Sequence, residues 1–81
     1  MKVRVKMFAM ARQMVGTDQL DVELPENSSV GELRASLLSR FPNSAPLLRS
    51  SLIAIDTNYA SDDTRISPHS EIAVIPPVSG G

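Results

Sequence analysis

A single apolar stripe constrains this chain more than any other feature. Val30, Leu33, Leu37 and Phe41 recur at helical spacing, with Leu38 beside them, while the rest of the chain is built of short runs. One stripe gives a helix one buried face, and the natural cover for one face is a sheet. Ser29 and Glu32 stand three apart at its start, the spacing of a capping box in which each satisfies a backbone N–H near the other. Gly31 weakens the first turn slightly. The helix is expected to stop before Pro42, because a residue preceding proline is pushed out of the α region.

The strands that this helix needs are written as alternations. Val3, Val5 and Met7 alternate with Lys2, Arg4 and Lys6, the period of a half-buried strand. Phe8 shares the parity of the charged residues. It is either an outward contact residue or a residue past the strand end that turns into the core. Ala9 to Val15 is dense in helix formers and halts at Gly16, so a short helix is expected there. Leu20, Val22 and Leu24 alternate with Gln19, Asp21 and Glu23 in a second strand ending at Pro25, most simply antiparallel to the first. Asn43 to Ser51 reads as a loop containing Pro46 and a turn at Leu47-Leu48. Leu52 to Ile55 is a third strand that ends at Asp56, and Asn58-Tyr59-Ala60 adds a brief edge strand. Turns follow at 61–64 and 68–70. Glu71 to Ile75 is the last strand, with Ile72 and Val74 inward and Ala73 and Ile75 outward. The expected fold is α+β: a mixed four- to five-stranded sheet packed on one main helix, with the other sheet face open to a partner.

Composition removes most functional classes. With 81 residues the chain is one small domain with a modest core, leaving little material for a deep cleft. Cysteine is absent, so there is no disulfide framework, thiolate metal site or thiol nucleophile. A formal charge of −1 lacks the attraction expected of a nucleic-acid binder. No apolar run is long enough to span a membrane, and the opening Met-Lys-Val-Arg-Val-Lys is unlike a signal peptide, so a soluble, cytoplasmic chain is expected. Asp62-Asp63 lacks the spacing and glycine of a calcium loop, and no metal is expected. His69 is the single histidine and reads as a surface residue. No phosphate-cradling glycine loop, Ser/His/Asp set or carboxylate pair can be argued from the spacings.

What remains is the end of the chain. Residues 1–75 form the expected domain, and Pro76-Pro77-Val78-Ser79-Gly80-Gly81 follows as a tail. Two prolines stiffen it toward an extended form, and two glycines leave its tip without side-chain bulk. Six extended residues reach ~20 Å. An ordinary frayed terminus has the same look by composition alone. In a body without cysteine or pocket chemistry, however, the terminal carboxylate is the one chemically distinctive group.

Met7-Phe8-Ala9 with Arg12, then Val15-Gly16-Thr17-Asp18, and finally Glu71 to Ile75 running into Pro-Pro-Val-Ser-Gly-Gly form a pattern over the whole chain. In it the chain resembles the small, sulfur-carrying subunit of molybdopterin synthase, a ubiquitin-like β-grasp family. Two departures are visible: Asp56 where that family often has Asn, and His69-Ser70-Glu71 in place of a common Gly-Asp-Glu turn.

The resemblance implies a carrier that is not itself catalytic. An E1-like activating enzyme would use ATP to adenylate Gly81, and sulfur from a separate donor protein would convert it to a thiocarboxylate. The carrier would dock on the large synthase subunit, in a heterotetramer, and insert Pro76, Pro77, Val78, Ser79 and Gly80 so that Gly81 passes sulfur to cyclic pyranopterin monophosphate. No cofactor would be held by this chain. The residues suit such a role. Adenylation gives a poor electrophile a good leaving group, and the prolines reduce the entropy lost on threading the arm. Phe8, Ala73, Ile75 and Val78 are the expected partner interface, as an exposed apolar patch beside the arm. The alternatives are a carrier for thiamine thiazole or tRNA thiolation, a ubiquitin-like protein modifier, and a purely structural interaction domain.

Overall fold

The computed structural model describes residues 1–77. In chain order these form β1 (Lys2–Met7), α1 (Ala9–Val15), β2 (Gln19–Glu23), α2 (Val30–Arg40), a 3-10 turn (Pro42–Ser44), α3 (Ala45–Ser50), β3 (Leu52–Ile55), β4 (Asn58–Ala60) and β5 (Glu71–Ile75). The five strands make a single mixed sheet in the order β2-β1-β5-β3-β4. Only β1 and β5 run parallel; β1 with β2, β3 with β5, and β3 with β4 are antiparallel. A parallel pair needs a long crossover between its strands, and the connection from β1 to β5 contains α2.

The alternation written in the sequence sets the register. Val3, Val5 and Met7 of β1, Leu20 and Val22 of β2, Ile53 of β3, and Ile72 and Val74 of β5 all point into one buried cluster. Val30, Leu33 and Leu37 of α2 fill the same cluster, each no more than 1% exposed, while Phe41 and Leu38 pack at its margin. The expected stripe is therefore the second layer of the core. Both bonds of the capping box are present: Glu32 N donates to Ser29 Oγ at 3.2 Å and Ser29 N donates to Glu32 Oε1 at 3.3 Å. Gly31, a cost to the helix in sequence terms, has a packing reason. A Cβ there would lie 3.3 Å from both the Cβ and the carbonyl oxygen of Asp62, and Gly31 N donates to that same carbonyl at 2.9 Å.

Residues 43–51 correct the expected loop. They form the 3-10 turn and α3 instead, and each of these has proline in its first turn. There the missing N–H is one of the helix's unpaired donors in any case, so proline starts a helix as readily as it interrupts one. The gain is Leu48, which the short helix drops into the core at 2% exposure. The α3 end is held by Arg34, whose Nη1 donates to the carbonyls of Leu48 and Ser51 at 2.7 and 2.8 Å. A cation at a helix C-terminus meets the unpaired carbonyls where the dipole is negative. The other predicted elements stand where expected, including α1 with its left-handed Gly16 cap at φ 88°.

Candidate functional site

β5 lies at the centre of the sheet and runs into Pro76 and Pro77. Its open face belongs to Ala73 and Ile75, both half-buried, since Ile72 and Val74 take the core side at 0% exposure. Register determines their neighbours. Ala73 is opposite Lys6 on β1 and Ala54 on β3; Ile75 is opposite Leu52, and Ala54 is opposite Tyr59 on β4. Leu52 and Tyr59 are 51% and 70% exposed. Apart from Glu71 at the start of β5, the β5-β3-β4 half of the open face is thus apolar. The β2-β1 half is charged, with Arg4 3.8 Å from Asp21 and Lys6 3.2 Å from Glu71 across the strand boundary.

Phe8 resolves outward. It sits directly after β1 as the N-cap of α1, in extended conformation, and its N–H donates to Val74 O at 3.3 Å. Its own carbonyl accepts from Ala11 N at 3.0 Å and Arg12 N at 3.4 Å. Ala9 then turns the chain through a left-handed φ of 50°, where a small side chain is least strained. Bound at both ends, Phe8 keeps the parity of the charged residues and remains 48% exposed.

Phe8 and Ile75 border two apolar depressions. On one side lies a hollow of about 330 Å³ lined also by Ala54, Thr57, Tyr59 and Ala73, with Lys6 and Glu71 at its rim. On the other, Phe8 and Ile75 line a groove with Met10, Leu47, Pro76 and Pro77. Pro76 is itself buried and Pro77 exposed, so the root of the tail forms one wall of this second groove. Of the expected site residues, Phe8, Ala73 and Ile75 are brought together as a patch. Val78, Ser79, Gly80 and Gly81 lie outside the described residues. The sequence reading missed Leu52 and Tyr59. Their outward parity was legible, but their place beside Ile75 and Ala54 depends on strand order.

The remaining candidates have structural roles or stand apart. Asp62 is ion-paired with Arg34 at 3.1 Å, and among the described residues no three metal-ligating side chains come together. His69 lies in a polar recess with Lys2, Arg4 and Asp21, away from the tail root. Among the described residues no helix is long and apolar enough to cross a membrane.

A sheet crossed by one long helix, whose central strand is followed in sequence by Pro-Pro-Val-Ser-Gly-Gly, has clear relatives. The model of the ThiS family matches residues 5–81, through the terminal glycines. The chain belongs to the ThiS family. A molybdopterin synthase sulfur carrier subunit from Caenorhabditis briggsae is 37% identical over 81 residues, which is 98% of this chain and 96% of that one. Another, from Dictyostelium discoideum, is 35% identical over 96% of this chain and 94% of its own. Among solved structures, small archaeal modifier protein 1 from Methanosarcina acetivorans superposes with a TM-score of 0.83 at 26% identity, covering 99% of this chain and 96% of that one. A complex of subunits 1 and 2 of molybdopterin-converting factor from Helicobacter pylori matches with a TM-score of 0.69 at 23% identity, covering all of both chains. A ubiquitin from Caldiarchaeum subterraneum matches at 0.67 and 16% identity over 100% of this chain and 98% of that one. The fold of this ThiS-family chain is the ubiquitin-like β-grasp.

Proposed function

We propose that this chain is the sulfur-carrier subunit of a molybdopterin synthase, and that Gly81 is the group that carries the sulfur. The observation that supports the reading is the position of the tail's root. In sequence Pro-Pro-Val-Ser-Gly-Gly follows the central strand β5, and its described root, Pro76-Pro77, lies beside Phe8 and Ile75 on an apolar face that no other described residue covers. Identities of 37% and 35% to two sulfur carrier subunits, over nearly the full length of each, support it.

In this reading the body is a handle and the tail the reagent. An E1-like enzyme joins the Gly81 carboxylate to AMP from ATP and releases pyrophosphate. Sulfur delivered by a donor protein and released at the sulfide level then attacks the acyl carbon. The C–S bond forms, the bond to AMP breaks, and AMP leaves behind a thiocarboxylate. The patch of Phe8, Ala73 and Ile75, extended by Val78, docks on the large subunit. Residues 76–80 thread toward that subunit's active site, where the sulfur passes to cyclic pyranopterin monophosphate. Without a side chain at Gly80 or Gly81, a narrow channel can close on backbone alone. Anchoring at Pro76 fixes the start of the arm and lessens the ordering cost of insertion.

Intact mass measurement tests the reading. After incubation with ATP, the activating enzyme and a sulfur source, the chain is expected to gain about 16 Da, the exchange of one oxygen for sulfur, and a chain lacking Gly81 to gain nothing. Addition of the large subunit and the pterin precursor is expected to return the original mass with formation of dithiolene. Loading without dithiolene formation points to a carrier for another thiolation. The likeness to an archaeal modifier protein favours one second reading, a protein modifier, which would instead appear as isopeptide conjugates at lysines of other proteins.

A further inference from the structure

The chain has no cysteine, so its methionines are its only sulfur-bearing side chains. They are placed unequally. Met7 ends β1 in the core at 2% exposure, whereas Met10 and Met14 stand one turn apart on α1 at 52% and 46%. α1 buries only Ala11, so among the described residues nothing covers its exposed flank. Met10, but not Met14, also lines the apolar groove with Phe8, Leu47, Ile75, Pro76 and Pro77. This groove shares Phe8 and Ile75 with the hollow on the open sheet face, so a partner seated on the face meets the groove without a gap.

We propose that Met10 is a reversible oxidation site whose sulfoxide blocks docking of the large synthase subunit at the tail root. The identity of that partner rests on the carrier reading above. The step is a two-electron oxidation by a hydroperoxide. With hydrogen peroxide the O–O bond breaks, one oxygen forms the S=O bond of the sulfoxide, and the other leaves as water. Exposure decides which sulfur reacts, favouring Met10 and Met14 over Met7. Their consequences differ. A sulfoxide replaces a soft apolar side chain with a strong dipole. On the free flank, water satisfies that dipole. In the groove, a docked partner would bury it against apolar side chains and the two prolines, where an unpaired polar group is costly. A methionine sulfoxide reductase reverses the change while the carrier is free.

The test uses the full chain, not loaded with sulfur, because a thiocarboxylate would itself consume peroxide. The chain is treated with hydrogen peroxide, mapped by peptide mass and titrated with the large subunit by calorimetry. Met10 and Met14 are expected to gain oxygen well before Met7, and the Kd to rise about tenfold or more, the scale of one buried, unpaired dipole. Met10→Leu should keep its affinity after peroxide, Met14→Leu should lose it as the wild type does, and reductase should restore the wild type. A Kd within twofold of the untreated value once Met10 is oxidised overturns the proposal, as does a loss that persists in Met10→Leu. If the untreated chain fails to bind the large subunit, the carrier reading falls and the docking effect with it. Oxidation of Met7 as fast as Met10 would overturn the site assignment alone.

Discussion

The guanidinium Nη2 of Arg34 lies 3.1 Å from Oδ1 of Asp62, and its Nη1 reaches two carbonyls at the far end of α3. One side chain on α2 therefore ties together three segments distant in sequence: α2, the α3 terminus and the 61–64 turn. The guanidinium side is mostly shielded, at 16% exposure, while the Asp62 side chain is 59% exposed. The two partners should not be equivalent. Arg34→Met leaves the Leu48 and Ser51 carbonyls without their charged donor and is expected to cost about 2–3 kcal/mol. Asp62→Ala removes only a solvent-screened partner and should cost less than about 1 kcal/mol. Urea unfolding midpoints check this, and equal losses in the two variants would contradict the assignment.

The capping box gives a second, purely local prediction. Ser29 Oγ accepts from Glu32 N, an N–H at the helix start that has no intrahelical partner. Ser29→Ala is expected to lower stability by about 1 kcal/mol, and Ser29→Asp to retain most of it, since an acidic cap also suits the helix N-terminus. Thermal or urea unfolding of the three proteins reads the difference. A Ser29→Asp protein as weak as Ser29→Ala would show that the cap bond contributes little here.

These two relationships mark what the sequence could disclose. The capping box, the α2 stripe and the strand alternations are local signals, each readable within a dozen residues, and each appears in the fold. α3 was missed because its only large aliphatic residues are Leu47 and Leu48, too few to show a period, and because Pro46 serves equally as a helix start or a loop residue. Arg34 was missed because its acceptors are backbone carbonyls, which carry no residue code. In the candidate site, the outward parity of Ala73 and Ile75 was legible, and Phe8 needed only a choice between two orientations. Leu52 and Tyr59 joined them only through the β5-β3-β4 order, a long-range pairing invisible to local pattern.

The β3-β4 hairpin carries a strain that can be relieved. Its two-residue loop, Asp56-Thr57, has φ of 49° and 71°, the left-handed pair of a type I′ turn. Asp56 suits this conformation and is fastened by two bonds: its N–H donates to Glu71 O at 2.8 Å, and its Oδ1 accepts from Glu71 N at 2.9 Å. Thr57 is β-branched and disfavoured there. Thr57→Gly is expected to stabilise the fold by about 0.5–1 kcal/mol, the relieved strain less the entropy that glycine gains in the unfolded chain. A lowered unfolding midpoint in Thr57→Gly would mean that the threonine's contacts in the apolar hollow outweigh its backbone strain.

The last prediction concerns the patch itself. Phe8 and Ile75 border both apolar depressions, and neither is part of the buried cluster that α2 covers. A charge at either position should leave the core intact but place an ionised group where a docked partner excludes water. Phe8→Asp and Ile75→Asp are each expected to weaken binding to the large subunit at least a hundredfold, which is about 2.7 kcal/mol or more. The cost to fold stability should stay below about 1.5 kcal/mol, because both side chains are partly open to solvent already. Lys2→Asp, on the charged half of the same face, is the control and should change affinity little, apart from a salt-dependent effect on the association rate. Calorimetric titration with the large subunit, beside urea unfolding of the free variants, separates loss of docking from loss of fold. Binding by Phe8→Asp at wild-type strength would remove the open sheet face from the interface and leave the tail as the sole point of recognition.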